Sequence, residues 1–284
     1  MNNKIEILGL IQTESFQEAL ELLRPLVEEG DSIAQFYLAQ MYSNGNGVDR
    51  NKDLAEKWYL RSASQGLSDA QFHLGLMLIN DISNLEAVSW LRKASEQGHK
   101  EAQYNLAVIY ADGIGVSTNY DKAIKWYSES AEAGLADAQY NLGYMYANGI
   151  GVDKDLTVTA KWYNEAAQQG VTKAQYDLGI LYGNGWGVEK NMNESVKWLH
   201  EAAKFDHVNA QFTLGMIYGR GNGVSRDFVK AITFFLRADD NGYPGAKEKA
   251  DSITVLMRQE QIEEVLAIRL SDLKTIQLSD LKFD

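Results

Sequence analysis

The sequence contains no cysteine, which excludes a disulfide frame, a thiolate metal site and a cysteine nucleophile. It is also short of basic residues: 27 Lys and Arg stand against 39 Asp and Glu, for a formal net charge of −12. A protein that tracks phosphates needs clustered cations to release counterions, so this balance argues against nucleic-acid binding and toward basic or neutral partners. Long apolar runs are missing as well. The run from Ile7 to Ile11 is preceded by Glu6 and followed by the polar stretch Gln12 to Glu14, and is too short for a secretory signal. Nothing elsewhere approaches the roughly 18 apolar residues of a membrane span. These absences lead to the expectation of a cytoplasmic protein without membrane insertion.

What is present is a period. The 284 residues are 45% hydrophobic, a globular content. Ala138 recurs as Ala34, Ala70, Ala102, Ala174, Ala210 and Ala246, with gaps of 36 residues except for one of 32. Trp162 recurs in the same register as Trp58, Trp90, Trp126 and Trp198, then as Phe234. Two columns sharing one period, short gap included, are the signature of stacked repeats.

Each repeat reads as helix A, a glycine-rich turn and helix B. In the copy from Gly134 to Gly170, helix A runs from about Asp137 to Ala147 and places Ala138, Leu142, Gly143 and Tyr146 on one face. Helix B starts near Leu156 and carries Trp162, Tyr163, Ala166 and Ala167 toward its neighbours, with Trp162 expected to fill the wider gap. Glycine at 30, 66, 98, 134, 170 and 242 is expected to end each helix B in the left-handed conformation, with Asp206 the exception. The loop Asn148-Gly149-Ile150-Gly151-Val152 has counterparts at 44–48, 112–116, 184–188 and 220–224. The second repeat lacks the Gly-x-Gly-Val segment and passes from Asn80 directly to Asp81, a deletion expected to tighten one turn without disturbing either helix.

The resulting organisation is an N-terminal capping region at 1–29, in which 15–29 is the second helix of an incomplete leading repeat. Six repeats follow at 30–65, 66–97, 98–133, 134–169, 170–205 and 206–241. A capping helix at 242–268 is expected to be a single helix of about 20 residues carrying Ile253, Leu256, Met257, Ile262, Val265 and Leu266. A tail at 269–284 repeats Leu-Ser-Asp-Leu-Lys at 270–274 and 278–282.

The pattern Ala-x-x-x-Leu-Gly-x-x-Tyr-x-x-Gly-x-Gly-Val, followed by Trp and Ala-Ala-x-x-Gly, resembles Sel1-like repeats of the tetratricopeptide group over about residues 30–245. That resemblance implies an all-α fold, a right-handed α/α superhelical solenoid, and a role in binding other proteins as adaptor, regulator or inhibitor. Some cysteine-rich secreted relatives have been described as β-lactamase-like; a chain without cysteine departs from them, so neither their compartment nor that activity carries over.

Candidate chemistry is sparse. Gly183-Asn184-Gly185-Trp186-Gly187 joins helix to helix and lacks the Gly-Lys-Ser/Thr ending of a phosphate loop. Ser271 and Lys274, like Ser279 and Lys282, match Ser-x-x-Lys without the partner motifs that would give it meaning. His73, His99, His200 and His207 form no His-x-x-x-His pair. No catalytic, metal or cofactor residue is therefore expected.

The partner surface is sought on helix A positions that stacking does not dictate. One column reads Tyr37, His73, Asn105, Asn141, Asp177 and Thr213, which is polar. The adjoining column reads Gln40, Leu76, Val108, Tyr144, Ile180 and Met216, which is largely apolar, and in the family such surfaces line the concave side. Two alternatives stay open for the apolar stripe: a binding groove, or core between successive helices. Trp186 occupies a loop position held elsewhere by Asn46, Ile114, Ile150 and Asn222, so it is either a partner anchor or a local staple. The reading is a non-catalytic scaffold, monomeric or weakly dimeric, that binds another protein through helix A and the loop edge. Its alternatives are an immunity-type inhibitor of a bacterial toxin and an exported effector binding a host protein; a hydrolase ranks last for want of any constellation.

Overall fold

The computed structural model describes the backbone of residues 2–79 and 84–280 and the side chains of residues 5–79 and 85–269. Among the described residues there are sixteen α-helices and no strand. Contacts group the chain into two units, Met1–Leu142 with Ile150–Val152, and Gly143–Gly149 with Asp153–Asp284. Helix α9 (Ala136–Asn148) contributes to both.

The first unit contains α1 (Asn2–Gln12), α2 (Phe16–Glu28), α3 (Ser32–Asn44), α4 (Lys52–Ser64), α5 (Ser68–Ile79), α6 (Asn84–Glu96), α7 (Lys100–Asp112) and α8 (Tyr120–Glu132). The second contains α10 (Leu156–Gln168), α11 (Thr172–Asn184), α12 (Met192–Lys204), α13 (Val208–Arg220), α14 (Phe228–Asp240), α15 (Ala246–Thr254) and α16 (Gln259–Asp280). From α3 to α14, odd-numbered helices are helix A and even-numbered ones helix B.

The turns follow from a few side chains. Gly66, Gly98, Gly134 and Gly170 leave helix B at φ between +83° and +96°, and Asp206 takes the same region at φ 55°. The loop after helix A is closed twice by one residue. The N–H of Asn51 donates to the Tyr42 carbonyl at 2.9 Å, while its side chain accepts from Leu54 N at 3.0 Å and caps α4. Asn119, Asp155, Asn191 and Asp227 repeat both bonds in their own loops.

Two sets of glycines permit close approach. A Cβ at Gly75 would lie 2.7 Å from Leu91, at Gly143 2.7 Å from Tyr163, at Gly179 2.9 Å from Leu199 and at Gly215 2.8 Å from Phe235, so within a repeat the large side chain of helix B sits on helix A's bare backbone. The second loop glycine works between repeats. Gly47 abuts Phe16, Gly151 Tyr120, Gly187 Leu156 and Gly223 Met192, in each case the first residue of the preceding helix B. The alanine column is at most 2% exposed at all seven positions.

Three expectations need correction. The leading repeat is not a lone second helix: α1 precedes α2, and its Ile7 packs with Leu20, Leu23 and Val27. The C-terminal cap is not one helix, because α15 stops at Thr254 and α16 begins anew where Arg258 N donates to Gln261 Oε1 at 3.1 Å, the local bond of a capping box. In that cap Val265 is buried, whereas Leu256 and Leu266 are exposed. Finally, Trp162 is only half-buried, with Lys161 Nζ 4.5 Å from its ring centroid, and the filled interior position is Tyr163. The shortened loop at Asn80–Asp81 and the side chains from Leu270 onward lie outside the described residues; α5 and α6 keep 12 and 13 residues beside that loop, and α16 runs past the expected boundary at 268 to Asp280.

Candidate functional site

In the first unit the polar helix A column is drawn into packing. Tyr37 meets Phe36 edge-on at 5.4 Å, and His73 stacks on Tyr59 at 5.5 Å with rings 7° apart. Burial lowers the His73 pKa, opposed by the nearby Asp69 carboxylate, and burial pushes the Tyr59 hydroxyl up to about 12. Asn105 Nδ2 donates to its own helix at Glu101 O, 2.7 Å. Asn141 Nδ2 points at the Tyr104 and Tyr127 hydroxyls across long distances of 3.5 and 3.4 Å. Leu76 and Val108 are half-buried, and Leu76 lines a recess of about 470 Å³ with Ser43, Arg50, Lys52 and Met77.

In the second unit the corresponding residues are more open. Tyr144 is 48% exposed and Trp186 52% exposed. Trp186 N donates to Leu181 O at 3.0 Å, so the backbone of this loop holds itself and the indole is not needed to form the turn. Ile180 and Met216 are half-buried and pack on the core around Leu199, Leu214 and Phe235. Asp177 and Thr213 are half-buried, and Thr213 Oγ1 donates to Asn209 O at 2.7 Å. A recess of about 470 Å³ lies between successive repeats here too, lined by Ile180, Thr213, Lys190 and Met192 among others. The apolar stripe thus faces core and recess at once, and Tyr144 and Trp186 alone among the twelve candidates are largely in water.

The residues missed in the sequence are a buried amide column. Gln35, Gln71, Gln103, Gln139, Gln175 and Gln211 are all at most 5% exposed. From Gln71 onward, each Nε2 donates to the carbonyl eight residues earlier, at the end of the preceding helix B, over 3.1 to 3.4 Å. Each of these carbonyls also accepts the backbone N–H three residues on in the closing turn, so the amide adds a second bond at the helix end and is itself satisfied there. The signal was available, since Gln follows the marker alanine in all six repeats.

Among the described residues no group of three His, Asp or Glu side chains could hold a metal ion, and no helix is long and apolar enough to cross a membrane. Within each unit the elements provide helical hairpins with buried amide bonds inside and variable positions outside.

These features define an all-α repeat protein of the solenoid class. The chain belongs to the Sel1 repeat family, whose repeat matches residues 32–67, 68–99, 100–135, 136–171, 172–204 and 208–243. It is similar to c5321 of uropathogenic Escherichia coli, described as a protective antigen displaying an SLR fold, with a TM-score of 0.76 and 32% identity over 95% of this chain and 60% of that one. A Sel1 repeat protein from Oxalobacter formigenes matches with a TM-score of 0.69 and 33% identity, over 83% of this chain and 98% of that one. The putative sel1-like repeat-containing protein L21 of Acanthamoeba polyphaga mimivirus is 33% identical over 75 residues, which are 25% of this chain and 14% of the viral protein. The chain therefore spans a small part of the viral relative and 60% of c5321. Sel1-repeat proteins are protein-interaction scaffolds and generally non-catalytic.

Proposed function

We propose that this chain is a non-catalytic scaffold that binds another protein through outward helix A positions and the Gly-x-Gly loop edge, with Trp186 and Tyr144 as its main anchors. The observation that carries the reading is Trp186: an indole left 52% exposed at a loop position that Asn and Ile fill equally well in other repeats. Leaving so large an apolar surface in water forgoes hydrophobic stabilisation that a partner's pocket would supply, and buried Trp and Tyr side chains dominate protein interfaces. The recess beside Ile180 and Thr213 is of a size to accept a partner's side chain. Preformed hairpins keep the ordering cost of association low.

The test is affinity capture with the wild-type chain and with a Tyr144→Asp, Trp186→Asp double variant, both verified as folded by circular dichroism. Both sites are exposed, so the variant should keep its helicity, whereas Ile180→Asp would place a carboxylate against the core. A protein retained by the wild type and lost by the folded variant is expected. Identical captured sets would remove these residues from any binding role.

A further inference from the structure

At the C-terminal end of the array the register leaves the first residue of the last helix B without a loop glycine over it. The first residue of helix B lies under the second glycine of the following loop at Phe16, Tyr120, Leu156 and Met192. Phe228 holds that position in α14. No Gly-x-Gly loop follows α15, which at 9 residues is shorter than the 13 of α13, and the register places Gln259, the first residue of α16, where that glycine would fall. A groove of about 680 Å³ is left between the start of α14 and the α15–α16 turn.

Its chemistry differs from that of the rest of the chain. Phe228, Leu256 and Ile268 give it an apolar lining, and Leu256 is 65% exposed beside Val255 at 81%. Arg226, Lys230 and Arg258 supply three cations against the carboxylates of Asp227 and Glu264. Asp227 is already engaged, accepting from Lys230 N at 3.0 Å as the cap of α14 and pairing with Lys230 Nζ at 3.5 Å. Arg226 stands 5.0 Å from the Phe228 ring centroid and Arg258 is exposed, so two guanidinium groups remain against Glu264. In a protein of net charge −12 this local excess of positive charge selects for carboxylates.

We propose that this groove docks an acidic segment of a partner protein that carries an apolar anchor side chain. The anchor fills the Phe228 and Leu256 lining while flanking carboxylates meet Arg226 and Arg258, the arrangement of an apolar centre with a charged rim. The proposal rests on the reading of the chain as a protein-binding scaffold, at a surface separate from Trp186 and Tyr144.

The experiment is fluorescence anisotropy of the full chain with a labelled peptide whose Leu-Phe-Leu centre is flanked by glutamates, compared with the same peptide carrying glutamine at every glutamate. Saturable binding of the acidic peptide is expected, weakened at least about tenfold by Arg226→Glu with Arg258→Glu, by Leu256→Asp, and by the glutamine replacement. All three substituted sites are exposed, so the variants should fold. Equal binding of both peptides, no binding of either, or indifference to the variants would overturn the proposal. The Tyr144→Asp, Trp186→Asp variant should bind the acidic peptide like the wild type. Peptide binding without differential capture therefore sinks the helix A reading alone, and the converse sinks the groove alone.

Discussion

Methionine replacing glutamine should have unequal consequences at two equivalent positions of the amide column. Gln211 is fully buried; its Nε2 donates to Ala203 O at 3.4 Å and to Asp206 Oδ1 at 3.2 Å, and its Oε1 accepts from Asn241 Nδ2 at 3.0 Å. Gln175 is 5% exposed and donates to Ala167 O at 3.2 Å, but its Oε1 is buried without a partner. The difference lies at the end of helix B. Gln65 gives its amide to Gln35 Oε1 at 2.9 Å, and Asn241 does the same for Gln211, but the fifth repeat has Phe205 at that position, 67% exposed and without a donor. Gln211→Met keeps the volume while removing three hydrogen bonds at once, although Ala203 O keeps Asp206 N at 3.3 Å and Asn241 Nδ2 keeps Asp206 Oδ1 at 3.3 Å, a loss of about 1–3 kcal/mol. Gln175→Met removes one bond and one stranded oxygen together, for a net change within about 1 kcal/mol of zero. Urea unfolding followed by far-UV circular dichroism measures both, provided the slopes match. Phe205→Gln should go further and stabilise by about 1 kcal/mol, by giving the Gln175 oxygen its donor. Equal penalties at 175 and 211, or a destabilising Phe205→Gln, would refute this role for the amide column.

Gly187→Ala places a methyl on the Leu156 carbonyl at φ +71°, and should cost about 2–4 kcal/mol in urea unfolding. Gly170→Ala, left-handed at φ +89° but facing open space, should cost about 1–2 kcal/mol, and equal losses would deny the inter-repeat contact. Tyr163→Ala should destabilise by about 3–4 kcal/mol and Trp162→Ala by about 1–2 kcal/mol, because only the first empties a buried site; the reverse order in the same assay would restore Trp162 as the core filler. Burial lowers the pKa values of His73, His200 and His207 from 6.5, with Lys230 and Lys204 adding to it at His200 and Lys173 at His207. The unfolded chain then binds more protons as acid is added, so these groups' contribution is full above pH 6.5 and is lost as pH falls through the lower folded values. Thermal melts from pH 7.5 down to about 5 should show the wild type losing stability relative to a triple His→Gln variant, and parallel curves would contradict the assignment.

The periodic parts of the fold were legible because each repeat poses the same packing problem. Ala138 and Gly143 recur since a helix crossing accepts only small residues there, Leu142 recurs since its site is fully buried, and the loop glycines recur since φ is positive. The choice between Trp162 and Tyr163 was not legible from spacing. The two rings are neighbours on helix B, and helical periodicity does not say which turns inward. Lysine stands immediately before the half-buried tryptophans at 58, 162 and 198 with its ammonium over the ring, a mark of the solvent edge, whereas Trp126, which follows Lys125, is buried. The Gln column is invisible to apolar periodicity because a polar side chain adds nothing to it, even one repeated six times. At the ends the period gives out, and local interactions such as the Gln261 bond to Arg258 N take over; no Gly or Pro marks that break in Val255-Leu256-Met257-Arg258.

The candidate surface was legible only as a set of positions, for a reason that also ranks them. A column free to vary between repeats is one where the neighbouring helix does not demand a particular side chain, but freedom to vary does not imply exposure. His73 varies and is stacked on Tyr59; Ile180 and Met216 vary and still lean on the core of their unit. Such half-buried side chains have already given up part of their hydrophobic stabilisation to folding, so a partner gains little new apolar area from them. Tyr144 and Trp186 retain about half of their surface in water and offer the partner the remainder. Binding energy should therefore concentrate on these two anchors, with the half-buried stripe supplying shape around them.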